Sequence, residues 1–350
     1  MVTGTECGIL RRISGGVRAH NALDYGYGLY ERPHSQVNMK RKEWAAFILL
    51  GLIWGSSFLW IRIAVQDTGP FTLVALRLLF GLAGLAAISL VRRQHFPRDR
   101  KIILSLAAMG MINIALPFTL ISWGEISVES GLASILNGTV PLFSIIIAHF
   151  WLHDERITVP RIVGLVVGFA GVVILVGRNL DFSSVSAGFF GQLAIIGAAI
   201  SYAVSASYSR KYLRGQPPLI QSTATILVAD AVMWLSLPAV GTLAPSLDAP
   251  NQFPTLPITW FAIVWLGLLG SCVAFLLFYY LLNSWGATRT TLVTYVFPVV
   301  GLVLGIVFLG ETMDWRLGVG SALILSGIVV VNVKRNSKPV KETRTEREPA

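Results

Sequence analysis

Charged side chains are scarce in this chain and cysteines scarcer. Asp, Glu, Lys and Arg make up only 13% of its 350 residues, too little polar surface to clothe a soluble globule of this length. The two cysteines, Cys7 and Cys272, lie far apart and in no metal-binding spacing, which leaves neither a disulfide framework nor a thiolate cage. No glycine-rich phosphate loop, H-E-x-x-H helix or nucleophile elbow occurs, so nucleotide hydrolysis and membrane proteolysis lack a residue set. His149 and His153 share a helix face, but only Asp154 and Glu155, at an aqueous boundary, stand near them. No metal and no cofactor are assigned, and the chain is not read as an enzyme.

What is abundant is apolar sequence: 54% of residues are hydrophobic and the mean hydropathy is +0.67. A bilayer core needs roughly 20 apolar residues per helix, and such runs stand near 44–65, 71–91, 102–123, 131–151, 160–177, 188–209, 219–242, 258–282, 287–309 and 315–333. They lack the period-2 alternation of a membrane barrel, so the fold expected is all-α integral membrane with ten transmembrane helices. The formal charge of +10 reports topology rather than nucleic-acid binding. With a cytoplasmic N-terminus, Lys40, Arg41, Lys42, Arg92, Arg93, Arg98, Arg100, Lys101, Arg156, Arg161, Arg210, Lys211, Arg214, Arg289, Lys334 and Arg335 flank helices on the inside, and only Arg62, Arg178 and Arg316 on the outside. Both termini are therefore expected to be cytoplasmic.

Two distant stretches share one layout. Glu155, Gly164 and Gly171 are spaced as Glu311, Gly320 and Gly327 are, each acid following a helix with an inner proline, Pro141 or Pro298. More faintly, Trp54-Gly55 pairs with Tyr202-Ala203, Arg62 with Arg210 and Pro70 with Pro218, while Arg77 faces Thr225. Five helices per copy is an odd number, so the second copy enters the membrane from the opposite side: two inverted five-helix repeats. The expected organisation is a disordered basic extension over 1–42 with Met39 as an alternative start, repeats over 43–178 and 188–334, a linker at 179–187 and a disordered cytoplasmic tail over 335–350. Inverted bundles can exchange outward- and inward-facing states around a midplane site, the physical basis of a transporter.

The Trp54-Gly55-Ser56-Ser57-Phe58 run, Pro70 with Arg77, Leu116-Pro117-Phe118 and the paired proline, acid and double-glycine units resemble the EamA-type branch of the drug/metabolite transporter superfamily, over about residues 42–334. That resemblance implies a permease, chiefly an exporter, of small metabolites such as amino acids, in a bacterial inner (cytoplasmic) membrane. A facilitator or exchanger of larger solutes such as nucleotide sugars is the alternative, with a membrane-embedded enzyme behind it.

Arg77 and Asp230 fall well inside predicted helices, where an unpaired charge costs about 3 kcal/mol. Arg77 is expected to hold an anionic group of the substrate, and Asp230 a cationic group or a coupling proton; the competing reading is a structural polar contact. Trp54, Asn113, Asn137, Tyr202, Tyr279 and Tyr295 complete the candidate substrate site, each equally able to tie helices together. Pro117, Pro141 and Pro298 are hinge candidates. Glu155 and Glu311 read as structural acids at the starts of the fifth and tenth helices. The expected partners are a small-molecule substrate and the lipid bilayer; monomer and homodimer both fit.

Overall fold

A computed structural model describes residues 41–152, 157–177, 180–181, 184–185, 187–243, 253–285 and 290–332. The basic extension up to residue 40, the acid Glu155 with His153, most of the linker, and the tail from residue 333 lie outside the described residues, as does the side chain of Tyr279. Among the described residues the chain is helical apart from a two-residue antiparallel pairing of Leu180–Asp181 with Ser184–Val185. Nine helices there are long and apolar enough to cross a membrane.

In chain order these are α1 (Arg41–Ala64), α2 (Pro70–Val91), α3 (Arg100–Gly124), α4 (Ser130–Trp151), α5 (Val159–Val176), α6 (Ala187–Tyr212), α7 (Pro218–Leu243), α8 (257–285) and α9 (291–309). A further helix, α10 (Trp315–Asn332), carries a slightly shorter apolar stretch, Trp315–Val331. Proline opens α2 and α7 and is the second residue of α5, positions where its missing N–H costs nothing. Gly310 ends α9 with φ 67°, a left-handed cap that needs no Cβ.

Four helices are irregular, and they come in corresponding pairs. A π-helical segment interrupts α3 at Met111–Ala115 and α8 at Trp265–Val273. The regular winding of α4 lapses at Gly138 and Thr139, just before Pro141, and α9 opens as a 3₁₀ turn, Thr291–Tyr295, just before Pro298. Pro117 in turn opens the regular segment after the π turn of α3. The three prolines thus sit at junctions between helix segments, where the ladder of hydrogen bonds is already broken.

Packing across the halves is reciprocal. The most extensive helix pair is α5 with α10, and glycine makes it possible. A Cβ on Gly164 would lie 2.6 Å from the carbonyl oxygen of Gly327, and one on Gly171 would lie 2.6 Å from that of Gly320. The first glycine of one helix meets the second of the other, so α5 and α10 run antiparallel across a local two-fold relation. Other contacts follow the same exchange of each helix with the one five places on: α2 packs on α8 as α7 packs on α3, and α1 on α9 as α6 on α4. Small residues mark those seams too, with Gly51 and Gly55 against Val296 and Val300, and Gly110 against the Thr225 carbonyl.

Two carboxylates stitch the ends of the bundle. Asp67, in the turn after α1, accepts from Thr255 N and Leu256 N, both at 2.9 Å, and from Thr255 Oγ1 at 2.6 Å, capping the start of α8. The Thr255 hydroxyl leads the interactions that hold its carboxyl down at about 2. A depressed folded-state value means that this contribution is complete above the ordinary carboxylate range and fades only as pH falls toward 2. Asp67→Ala is expected to lower the melting temperature by a few degrees, about 1 kcal/mol at most for so exposed a group. The drop should be the same at pH 8 and pH 5 in detergent thermal scans; a drop confined to one of these pH values would contradict the cap.

Glu311 corrects an expectation. It does not cap its neighbour α10, whose Leu317 N–H is taken by Asp314 Oδ1 at 2.7 Å. Its two oxygens instead accept from Ser130 N at 2.6 Å and Gly131 N at 2.8 Å, at the first turn of α4 in the other half. An acid in a tight turn is pulled to whichever free helix end lies nearest in space, and reciprocal packing brings α4 there.

Candidate functional site

The tip of Arg77 is shared among several helices. Its residue is 4% exposed, and its guanidinium carbon lies 4.1 Å from the ring centroid of Phe118 on α3. Gly267, in the π segment of α8, comes so close that a Cβ there would lie 2.6 Å from the Arg77 carbonyl oxygen. At Gly270 a Cβ would lie 3.8 Å from the guanidinium and 3.5 Å from Ser57 Oγ. Two glycines thus let α8 approach α2 while leaving the arginine head unobstructed. The Arg77 Nε is buried without a hydrogen-bond partner.

Trp54 forms the wall beside it. Its indole N–H donates to the Gly270 carbonyl at 3.0 Å, and its ring meets Phe297, Phe278 and Phe275 at centroid distances of 5.5, 5.7 and 6.1 Å. Such edge-on and tilted contacts fix the ring's plane. Tyr202 on α6, half-buried against the main core, has Arg77 as its charged neighbour. Trp54, Arg77 and Tyr202, which the sequence singled out separately, are therefore brought together where α1, α2, α3, α6 and α8 meet.

Asn113 tells a different story. Its Oδ1 accepts from Ser205 Oγ at 2.7 Å, and Ser201 Oγ donates to the Ile112 carbonyl at 2.5 Å. Both bonds join the π segment of α3 to α6. A wide turn leaves carbonyls out of the regular ladder, and serines on a neighbouring helix take them up. Here the helix-tying role is the one the geometry shows. Asn137 keeps a buried, unpartnered Oδ1 at the break in α4, while Tyr295 packs half-buried against the core in the 3₁₀ turn of α9.

Asp230 is 6% exposed on α7, with Oδ1 unpartnered and Trp234 one turn along the same helix. The structure does not join it to Arg77. The charged and polar groups that influence Arg77 are Tyr202 and an acid that sequence reasoning missed, Glu125.

Glu125 follows the last turn of α3 and is completely buried, with both carboxylate oxygens unpartnered. Acids in turns ordinarily meet water, so position along the chain gave no reason to suspect burial. The available signal was the preceding glycine: Gly124 is where the start of α6 seats, a Cβ there falling 2.7 Å from the Gly191 carbonyl. Arg62 of α1 closes the same end, donating from NH1 to the Glu125 carbonyl and, at 2.8 Å, to that of Ile126. Beside it lies a cleft of about 560 Å³ lined by Arg62, Gln66, Glu129 and Glu311 among others.

Nine apolar spans among the described residues, duplicated halves with reciprocal seams and a buried arginine where the halves meet fit a multi-pass membrane protein of the transporter kind. The comparisons agree on the group. The model of the EamA-like transporter family matches residues 42–177 and again 189–333, and the chain belongs to that family. An uncharacterized transporter of Archaeoglobus fulgidus is 24% identical over 84% of this chain and 100% of its own length. A probable terminal-alkyne amino-acid exporter of Streptantibioticus cattleyicolor is 27% identical over 85% of this chain and 95% of its own. The uncharacterized inner membrane transporter YedA of Escherichia coli K12 is also 27% identical, over 85% and 92%. One solved crystal structure shares the fold with a TM-score of 0.59 at 22% identity, over 83% of this chain and 96% of that one.

Proposed function

We propose that this protein is a secondary exporter of small metabolites such as amino acids, working by alternating access between two inverted five-helix repeats. In this reading α10 is the tenth span, both termini face the cytoplasm and the membrane is the bacterial inner one. The observation that carries it is Arg77: a buried guanidinium with an unpartnered Nε, at the meeting of helices from both halves. A charge kept in so costly a place with an aromatic ring but no ion-pair partner is fitted to an anionic group that arrives and leaves. Kinship with an amino-acid exporter favours a carboxylate as that group.

Energy would come from a gradient, and Asp230 is the proposed proton carrier on α7. Everted vesicles energised to an acid interior test this, with a panel of amino acids, nucleosides and cationic drugs added to wild type and Asp230→Asn. One compound should release the proton gradient with wild type and not with the variant. Exchange of labelled substrate without proton movement in wild type would instead make the protein a facilitator, the reading that also admits nucleotide sugars.

A further inference from the structure

A second set of unpartnered polar atoms lies toward the end of α3, two of its residues sharing a stripe with Phe118. Residues 118, 122 and 125 fall on one face of α3, four and then three positions apart. Phe118 carries the Arg77 guanidinium, Ser122 is fully buried with Oγ unpartnered, and Glu125 is fully buried with both oxygens unpartnered. On α6, Gln192 is fully buried and both atoms of its amide are unpartnered. It directly follows Gly191, whose backbone seats on Gly124. Three buried polar side chains left open around one stretch of two helices call for a partner that the helices themselves do not supply.

Arg77 and Glu125 lie in each other's field yet form no ion pair. Seven positions separate Phe118 from Glu125, a rise of roughly 10 Å along the helix, so the guanidinium over Phe118 and the Glu125 carboxylate are set apart along one face of α3. A ligand with one opposite charge at each end completes both, each contact being a charge-assisted hydrogen bond of about 2.8 Å. A pure anion would leave the Glu125 carboxylate without a donor, since the head of Arg62, its nearest cation, is spent on the Glu125 and Ile126 carbonyls. A pure cation would likewise leave Arg77 unpaired.

We propose that Arg77 and Glu125 together form a zwitterion site, the substrate's carboxylate on Arg77 and its primary ammonium on Glu125, with Ser122 and Gln192 as further hydrogen-bonding groups. It rests on the transporter reading and narrows its substrate class to compounds bearing both groups, such as free α-amino acids. Glu125 here binds substrate; the proton carrier remains Asp230, on a different helix.

The test uses the purified full chain in lipid nanodiscs. Thermal shift is read for α-amino acids with apolar side chains, their N-acetyl derivatives, which lack the ammonium, and their amides, which lack the carboxylate. At least one amino acid should stabilise wild type, and its two derivatives should require at least about tenfold more ligand for the same shift. Glu125→Gln should lose that preference over the N-acetyl derivative, and Arg77→Gln the preference over the amide. A swap in selectivity cannot arise from misfolding, and Glu125→Gln is nearly isosteric. An unchanged preference in a folded Glu125→Gln overturns the proposal, as does a wild type that takes the N-acetyl derivative as well as the amino acid. Counterflow in proteoliposomes separates the two levels: no exchange of any compound by wild type sinks the transporter reading itself, whereas exchange of amino acids with unaltered selectivity in Glu125→Gln sinks only the zwitterion site.

Discussion

Replacing Gly171 or Gly164 with leucine should abolish the folded protein. Each would push a side chain into a carbonyl oxygen 2.6 Å from its Cβ, and a second backbone atom of α10 stands 2.9 Å from the Cβ of Gly171 and 2.8 Å from that of Gly164. A flexible side chain could swing aside; a helix backbone moves only by parting the two helices. Because α5 and α10 form the most extensive helix pair of the bundle, separating them forfeits much of the packing between the halves. Overpacking of this kind belongs at the upper end of its range, about 3 kcal/mol. Fluorescence-detected size-exclusion of tagged protein should show no monodisperse peak for Gly171→Leu. Gly318→Leu on the same α10, where the nearest neighbour is the end of the Met313 side chain at 3.4 Å, should leave the peak intact. A monodisperse Gly171→Leu would mean that the seam is looser than its glycines indicate.

Arg77 should behave in the opposite way. Substituting Gln removes a buried charge that has no ion-pair partner, and such a change is often neutral or stabilising. Stability should therefore hold or rise even though no cation then lies over the Phe118 ring. Transport should fall by about 3 kcal/mol, roughly a factor of 100, since the substrate's anionic group would be buried with no cation to meet it. Arg77→Lys should recover only part of it. Lysine keeps the charge but has no planar fork to lie over Phe118 while donating in two directions. Proteoliposome counterflow alongside a melting curve decides the matter: a parallel fall in both would make Arg77 a structural residue.

The spans were legible because a bilayer leaves few options, and apolar runs of the right length follow helices almost residue for residue. Proline at the first turn of α2 and α7 and early in α5 sharpened their starts. The duplication was legible from spacing alone. How its glycines pair was not, because Gly164 meeting Gly327 and Gly171 meeting Gly320 is a statement about two helices brought side by side. Glu311 shows the same limit: the sequence places it before α10, whereas its partners, the amides of Ser130 and Gly131, belong to the other half. Arg77, Trp54 and Tyr202 could be named from depth and polarity, yet hydropathy cannot tell that these three come together while Asn113 ties two helices. Nor does it foresee π segments, which depend on a neighbour ready to take the displaced carbonyl. Glu125 escaped notice because an acid after a helix end looks solvated until another helix is laid over it.

The pairing of glycines across α5 and α10 also bears on how the two copies can age after duplication. Polar side chains can differ between the copies, as Arg77 opposite Thr225 illustrates. Bulk on the seam is different, because every position in one copy is the mould for a position in the other. A larger residue at Gly171 would call for compensation around Gly320, far away in the chain and in the opposite copy. Side-chain volume along this seam is therefore constrained in pairs, one position in each copy.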